Sequence, residues 1–154
     1  AFSGPKEAEE NGISFIHQEL NVLPDMTIEQ NLFLNKEIRK GFGLLDEKEM
    51  RRQSTELLAR VGLDLNPNTV LSSLSVGTQQ LIEICKALMT NAEVIIMDEP
   101  TAALSDTESE RLFEIIEALK QNDVSIIYIS HRMEEIFRIS DRITVMRDGV
   151  ISKH

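Results

Sequence analysis

The sequence predicts an α/β fold built around a mostly parallel sheet. Two apolar segments, VIIMDE at 94–99 and VSIIYISH at 124–131, have the composition of buried strands, and the amphipathic segment TESERLFEIIEALKQ lies between them. A strand, a helix and a second strand in this order form a crossover unit whose strands run parallel. Because both apolar segments are hydrophobic almost throughout, we also expect their strands to be buried on both faces.

Length and composition limit the class of protein. A chain of 154 residues is the size of one domain, which buries about two thirds of its unfolded surface. The net charge of -10 argues against nucleic acid or an anionic bilayer as the main partner, because both favour clustered Lys and Arg. The apolar runs are far shorter than the roughly 20 residues that cross a bilayer, so we expect no insertion into a membrane.

The first predicted elements are a short helix and a strand. Pro5 stands where a helix can begin and Gly12 where one can end. The following segment ISFIH has the β-branched and aromatic residues of a buried strand. Polar residues, among them Gln18, follow the end of that strand.

The pattern is helical from there to about residue 90. Thr27 and Gln30 have the spacing of a capping box at the start of one helix. Asp46 opens a second helix, whose apolar face and end are formed by Met50, Leu57, Leu58, Val61 and Gly62. A third helix follows LSSLSVGTQQ. We therefore expect a helical subdomain at about 20–90 and an α/β core formed by 1–19 and 91–154.

Three further features predict structure more than chemistry. Ser105 and Glu108 form a capping box for the helix after the first apolar strand, which leaves Asp106 free to face a partner subunit. Asp148 and Gly149 separate two short apolar runs, as in a hairpin. The single cysteine, Cys85, falls on an apolar helix face, which favours a buried packing role over a reactive one.

The adjacent carboxylates Asp98 and Glu99 are the main chemical signal. An apolar strand that ends in two acids is suited to phosphoryl chemistry, in which Mg²⁺ is held near phosphate oxygens and a water attacks in line. Asp98 would then belong to the Mg²⁺ shell and Glu99 would polarise the water, while a nearby cation offsets their repulsion. The alternative is that both acids begin a solvated loop.

Two weaker signals also indicate a phosphate site. Gly77 stands in the first turn of a helix, where glycine costs up to about 1 kcal/mol relative to alanine. It would let an anion approach the backbone N–H groups, with Ser75 capping the helix or donating to phosphate. His131, directly after the second strand, could contact a γ-phosphate and hold Glu99 and the water. An ordinary capped helix and a histidine bonded to backbone are the alternatives.

These residues are expected to meet at one edge of the sheet. Ligands of parallel α/β sheets bind beyond the carboxyl ends of the strands. Gln18, Asp98, Glu99 and His131 all follow predicted strands. A zinc site is not expected, because the three histidines lack close ligand spacing.

The segments IHQE, LSVGTQQ, VIIMDEP, LSD and YISH, in this order, resemble the nucleotide-binding domain of ATP-binding cassette (ABC) transporters. The resemblance covers essentially the whole chain and implies a partial P-loop NTPase core with an inserted helical subdomain. It implies that Gln18 is the Q-loop glutamine, which contacts Mg²⁺ largely through water, and that Asp98 also serves Mg²⁺. The other implied roles are the signature, Ser75, Gly77 and Gln80; the catalytic base, Glu99; the D-loop, Asp106; and the switch histidine, His131.

The sequence departs from the family pattern in two respects. Val76 replaces the first of two adjacent signature glycines, and this form, with YISHRMEEIF, resembles the first half of tandem ATPases that drive importers of monosaccharides such as ribose or galactose. The chain also has no G-x-x-x-x-G-K-[ST] phosphate loop, which lies upstream of the Q-loop in the family. We therefore expect a truncated domain that alone neither binds ATP tightly nor hydrolyses it.

The resemblance implies a fragment of the ATP-hydrolysing subunit of a sugar importer. Its cofactors would be ATP and Mg²⁺, and its partners a second ATPase domain and a transmembrane permease, at the cytoplasmic face of the membrane. Two alternatives stay open. One is a soluble ABC ATPase of translation or DNA repair, and the other is a non-catalytic dimerisation or regulatory module.

Overall fold

The strands of the protein form two sheets in the computed structural model, which describes residues 2, 4–18, 20–90 and 92–153. Three strands form a parallel sheet in the order β1 (Ile13–Ile16), β2 (Val94–Asp98) and β3 (Ser125–Ile129), and two form an antiparallel hairpin, β4 (Val145–Arg147) and β5 (Val150–Lys153). Met97 at the centre lies opposite Ile16 on one side and Tyr128 on the other. The predicted parallel sheet and hairpin are therefore confirmed.

The helices of the described residues are α1 (Pro5–Glu10), α2 (Ile28–Leu32), α3 (Glu47–Arg60), α4 (Val76–Leu88), α5 (Asp106–Lys120) and α6 (Met133–Ile139). The sequence patterns predict the first five and miss α6. Helix α2 is shorter than expected, since the chain leaves the helix after Leu32 and has a positive φ of 60° at Asn35.

The predicted helix caps are present. Thr27 and Ser105 each accept a hydrogen bond from the backbone of the third helical residue, whose own side chain bonds back to the cap. Asp46 caps α3 by accepting from the backbone N–H of Glu49 at 3.1 Å. These bonds satisfy N–H groups that the first turn of a helix leaves unpaired. The helix starts that depend on short-range chemistry are thus read correctly from the sequence.

The core lies on one face of the parallel sheet. Strands β1 and β2 bury Ile16, Ile95 and Met97 there, at 1% exposure or less. Helices α4 and α5 add the buried side chains Leu81, Ile84, Cys85, Leu112 and Ile116. Burial raises the pKa of the Cys85 thiol to about 12, which leaves it protonated and unreactive at neutral pH. The packing role predicted for Cys85 is confirmed.

The opposite face of the sheet is open, so the prediction that the strands are buried on both faces is wrong. Phe15 is 44% exposed, Ile127 50% and Ile129 46%. Strand β3 is one of the two edge strands of the parallel sheet, with β1 at the other edge, and a groove of about 840 Å³ runs along β3 toward Ile143 and Met146. The described helices cover the other face, and apolar strand composition alone does not say whether a second layer is present.

The helices α2, α3 and α4 follow β1 in the chain and pack on one another. Helix α4 also packs on β1 and on α5, so it connects the helical region to the sheet. The division into a subdomain at about 20–90 and a core of 1–19 and 91–154 stays a prediction. Among the described residues, none of the helices is both long and apolar enough to cross a bilayer.

Candidate functional site

Four of the predicted site residues lie at the carboxyl end of the parallel sheet. Gln18 is exposed and stands two positions after the last residue of β1. Asp98 is the last residue of β2, and Glu99 follows it. His131 stands two positions after the end of β3. Because these strands are neighbours and parallel, their polar ends share one edge of the sheet.

Glu99 and His131 are in direct contact. Glu99 Oε1 lies 2.8 Å from His131 Nδ1, and the two side chains are 29% and 75% exposed. An ionised carboxylate only accepts hydrogen bonds, so Nδ1 carries the proton in this contact. The second oxygen of Glu99 then stays available to accept a hydrogen bond from water. The structure thus contains the carboxylate–histidine pair instead of a histidine bonded to backbone.

The backbone of Glu99 is in an unusual conformation. Its φ is +46°, in the left-handed region that non-glycine residues seldom adopt. Its N–H donates to the carbonyl oxygen of Ile129 at 2.9 Å, which extends the ladder between β2 and β3 by one bond. Strain of this kind costs about 1–3 kcal/mol and is concentrated at functional sites. No sequence pattern predicts this positive φ at Glu99.

The oxygen ligands beside the Glu99–His131 pair fit a magnesium ion whose coordination shell is completed by a phosphate. Asp98 is half-buried and Gln18 exposed, which gives one carboxylate and one amide oxygen. The described part of the chain has no cluster of three or more His, Cys, Asp and Glu that could hold a metal by itself. Mg²⁺ is usually held by one or two carboxylates together with substrate phosphates and water. Asp98 and Gln18 therefore fit a Mg²⁺ ion, for which they would supply part of the coordination shell.

A second group of predicted residues lies at the start of α4. Ser75 caps this helix by accepting from the N–H of Thr78 at 3.1 Å. Its hydroxyl also donates to Glu108 Oε1 at 2.9 Å. Because a serine hydroxyl has a single proton, Ser75 cannot donate to a phosphate while it donates to Glu108.

The carboxylate of Glu108 also lies against Gly77. A Cβ on Gly77 would lie 2.2 Å from Glu108 Oε2, so only glycine admits the carboxylate in this position. That oxygen accepts from the N–H and the hydroxyl of Ser105 at 2.9 and 2.7 Å. The pKa of Glu108 is lowered by the Ser105 N–H, then by the Ser105 hydroxyl, with smaller contributions from Ser75 and Thr78. The anion beside the Gly77 backbone is thus a side chain of the same molecule.

The remaining predicted residues differ in accessibility. Asp106 is exposed and is the first residue of α5. Gln80, by contrast, is only 2% exposed, so a facing molecule cannot reach its side chain without a movement of α4. Through Glu108 the structure joins the start of α4 to the start of α5. The hydrogen bonds seen in the described residues do not join Ser75 to Glu99 or His131.

Sequence reasoning missed two buried polar residues near the site. Glu135, on α6, is 6% exposed and accepts hydrogen bonds from Thr101, two positions after Glu99, and from Ser130, which precedes His131. Asn31, on α2, is 1% exposed and bonds to the backbone of Leu23, in the loop that follows Gln18. Each has one partner at helical spacing, Arg132 for Glu135 and the Thr27 carbonyl for Asn31, but the contacts to Thr101 and to Leu23 that matter here have no such spacing.

Comparison with known proteins gives a consistent family. The sequence profile described as ABC transporter matches residues 3–102. The ribose import ATP-binding protein RbsA of Bacillus licheniformis is 60% identical over 148 residues, which are 96% of this chain and 30% of that protein. RbsA of Streptococcus agalactiae (serotype Ia) is 57% identical over 150 residues, 97% of this chain and 30% of that protein. The chain therefore spans about a third of the length of these curated relatives.

Solved structures with the same fold include two ATP-binding cassettes. The dimeric post-hydrolysis state of the cassette MJ0796 bound to ADP and Pi is 25% identical, with a TM-score of 0.78, and the match covers 96% of this chain and 65% of that one. A nucleotide-free cassette from an ABC transporter is 27% identical, with a TM-score of 0.80, and the match covers 97% of this chain and 62% of that one.

Proposed function

Because the chain belongs to the ABC transporter family, we propose that it is part of an ATP-hydrolysing subunit that energises import of a sugar. Identity of 60% to a ribose import ATP-binding protein supports ribose, or a closely similar monosaccharide, as the transported substrate. The subunit would work with a transmembrane permease, at the cytoplasmic face of the membrane. The Glu99–His131 contact of 2.8 Å at the sheet edge is the observation that carries the proposal.

Glu99 is the proposed general base. Its Oε1 is occupied by His131, so Oε2 is the oxygen that would accept the proton of the attacking water. His131 holds the carboxylate in place through Nδ1 and has its Nε2 on the far side of the ring. In the doubly protonated form, Nε2 can donate to a phosphate oxygen.

Asp98 and Gln18 are the proposed magnesium ligands, largely through water. The ion would supply positive charge against the phosphate oxygens and would reduce the repulsion between Asp98 and Glu99. The half-buried carboxylate of Asp98, at the end of β2, supports this assignment.

The start of α4 is the proposed contact with nucleotide held by a second ATPase domain. Ser75, Gly77 and Gln80 would contribute to it, and Asp106 would face that domain. For Ser75 to donate to a phosphate, its hydroxyl must first leave Glu108. The second domain would be a tandem half of the same protein or a dimer mate.

The 154 residues alone are proposed to be inactive. The sequence has no G-x-x-x-x-G-K-[ST] loop to hold the nucleotide phosphates. The open sheet face at Phe15, Ile127 and Ile129, and the free edge of β3, also offer room for a further strand and helix. Calorimetry with Mg-ATP is expected to show no binding in the micromolar range, and micromolar binding would contradict this proposal.

The catalytic assignment is tested in a longer protein that includes this chain and a phosphate loop. Glu99→Gln should retain ATP binding and lower turnover about 10²–10⁴-fold, because the amide cannot take up the proton. Binding is measured by calorimetry and turnover by phosphate release. Glu134→Gln, which removes the same charge from an exposed position, serves as the control. Unchanged hydrolysis in Glu99→Gln would remove Glu99 from this role.

A further inference from the structure

Glu135 is a buried carboxylate with an unusually complete set of donors. It lies on α6 and is 6% exposed. Thr101 Oγ1 lies 2.8 and 2.9 Å from its two oxygens, and Tyr128 Oη lies 2.8 Å from Oε2. Ser130 Oγ lies 3.2 Å from Oε2, and Arg132 Nη1 lies 2.7 Å from Oε1. A buried carboxylate is tolerable only with such donors.

Three of these donor residues come from the two loops that carry the proposed catalytic pair, and the fourth, Tyr128, lies in β3. Thr101 stands two positions after Glu99, in the loop that follows β2. Ser130 and Arg132 stand on either side of His131, and the Ser130 hydroxyl also accepts from the Arg132 N–H at 3.0 Å. The carboxylate of Glu135 therefore bridges one loop to the other from a third element, α6.

The contact between Glu99 and His131 needs such support. His131 is 75% exposed, so packing does little to hold its ring. The two loops are joined at their strand end by the bond from the Glu99 N–H to the Ile129 carbonyl. Beyond that bond, the described hydrogen bonds connect the loops through the Glu99–His131 contact itself and through the bridge formed by Glu135 and Thr101.

We propose that Glu135 is a positioning residue that holds the loops of Glu99 and His131 at the separation their contact requires. The role of Glu135 in catalysis rests on the proposed function, whereas its role in holding the Glu99–His131 contact does not. Thr101 is the critical donor, because it attaches Glu135 to the Glu99 loop. Tyr128 attaches the same carboxylate to β3, and Ser130 and Arg132 attach it to the loop that carries His131.

Two nearly isosteric substitutions separate this role from simple structural support. Thr101→Val and Tyr128→Phe each remove one hydroxyl that lies 2.8 Å from the same carboxylate. A structural role predicts similar effects of the two. The positioning role predicts that only Thr101→Val disturbs the Glu99–His131 contact, and that Thr101→Ser, which keeps the hydroxyl, restores it.

The contact is measured by ¹⁵N NMR of the 154-residue chain under conditions where the imidazole is neutral. The His131 ring is expected to be mostly the Nδ1–H tautomer, because the Glu99 carboxylate accepts from Nδ1. Glu99→Gln gives the reference signal for a lost carboxylate contact, and His131→Gln assigns the resonance. Thr101→Val should shift the ring toward the Nε2–H tautomer, whereas Tyr128→Phe and Thr101→Ser should not. Thermal unfolding checks that the variants are folded.

The same variants are compared kinetically in the longer protein. Thr101→Val should lower kcat about 10–100-fold with KM for ATP changed less than about threefold, because small misplacements of reacting groups cost up to about 10²-fold. Tyr128→Phe should lower kcat only slightly. Glu134→Gln, on the same turn of α6 as Glu135, should leave kcat unchanged.

Several results would overturn the proposal. They are the absence of the Nδ1–H tautomer in the unaltered chain, an unchanged tautomer in Thr101→Val, and equal effects of Thr101→Val and Tyr128→Phe. A longer protein with no ATPase activity would instead contradict the proposed function and leave the NMR contrast standing, so the two failures are distinguishable.

Discussion

Gly77 shows how one residue can be correctly singled out while its partner is missed. A glycine in the first turn of a helix indicates that an anion approaches the backbone closely. In the structure an anion does so, and it is the carboxylate of Glu108, whose Oε2 would lie 2.2 Å from a Cβ. The capping box of Glu108 was predicted because it is local. Its bond to Ser75 was not, because that partner is 33 positions away.

A double-mutant cycle measures the contact between Gly77 and Glu108. Gly77→Ala alone should destabilise the chain by about 1 kcal/mol, since the methyl group displaces the carboxylate from Ser75 and Thr78. In a Glu108→Ala background the same change should stabilise by up to about 1 kcal/mol, because alanine is the better helix former. Urea unfolding at pH 7 gives both values.

The coupling should also depend on pH. The pKa of Glu108 is lowered in the folded state from an ordinary value of 4.5. Its stabilisation is therefore complete above pH 4.5 and is lost as the pH falls through the lowered folded value. The same sign for Gly77→Ala in both backgrounds, or a coupling that grows in acid, would contradict the assigned contact.

Helices are the elements that the sequence predicts best, and the reason is local chemistry. The start of α3 at Asp46 and its buried residues Met50, Leu57, Leu58 and Val61 follow from capping and periodicity. Helix α6 is missed because it has seven residues and no side-chain cap. It is joined to the rest of the fold by the bond between Glu135 and Thr101 and by the ion pair between Arg138 and Glu110 of α5, and both of these partners are distant in the sequence.

The loop after β1 is attached to α2 by a single buried amide. Asn31 Oδ1 accepts from the N–H of Leu23 at 2.7 Å, and Nδ2 donates to the carbonyls of Leu23 and Thr27 at 2.9 and 3.0 Å. Asn31 therefore fixes the backbone at Leu23, five positions after Gln18, to a residue of α2. An asparagine inside a short helix gives no sequence signal for such a role.

Asn31→Asp tests this attachment without a change of shape. The introduced carboxylate cannot donate to the two carbonyls, so the chain should lose about 3 kcal/mol of stability at pH 7. The burial raises the pKa of the introduced carboxyl, so the deficit should shrink as the pH falls and the group is protonated. Asn35→Asp, at an exposed position, should stay within about 0.5 kcal/mol. Equal losses in the two variants would contradict the role of Asn31.

At the scale of the whole molecule, the sequence predicts the sheet and the edge at which the candidate site lies, but it does not predict that the second face is open. The parallel order of strands, and the placing of Gln18, Asp98, Glu99 and His131 at their carboxyl ends, follow from the alternation of apolar runs and helices. The roles of these residues stay predictions. The open face at Phe15 and Ile127 could not be foreseen, because composition reports how apolar a strand is and not which layers cover it.

The isolated chain should associate through this open face. Exposed apolar side chains beside a free strand edge favour intermolecular contacts. Ile127→Lys, on the open face, should weaken association about tenfold with little change in thermal stability. Sedimentation velocity over a concentration series makes the measurement. Ala59→Lys, at an exposed position on α3, adds the same charge as a control, and an equal effect of both variants would exclude the face.

Because of the strand order, the two residues of the candidate pair follow strands that are held by different numbers of neighbouring strands. Glu99 follows β2, which has neighbours on both sides, whereas His131 follows β3, which has one. Local fraying of the outer strand therefore requires less free energy than opening of the middle one. During local opening of the sheet, the His131 imidazole should therefore leave the contact first, while the Glu99 carboxylate stays in place. A segment or partner that covers β3 would then oppose this opening.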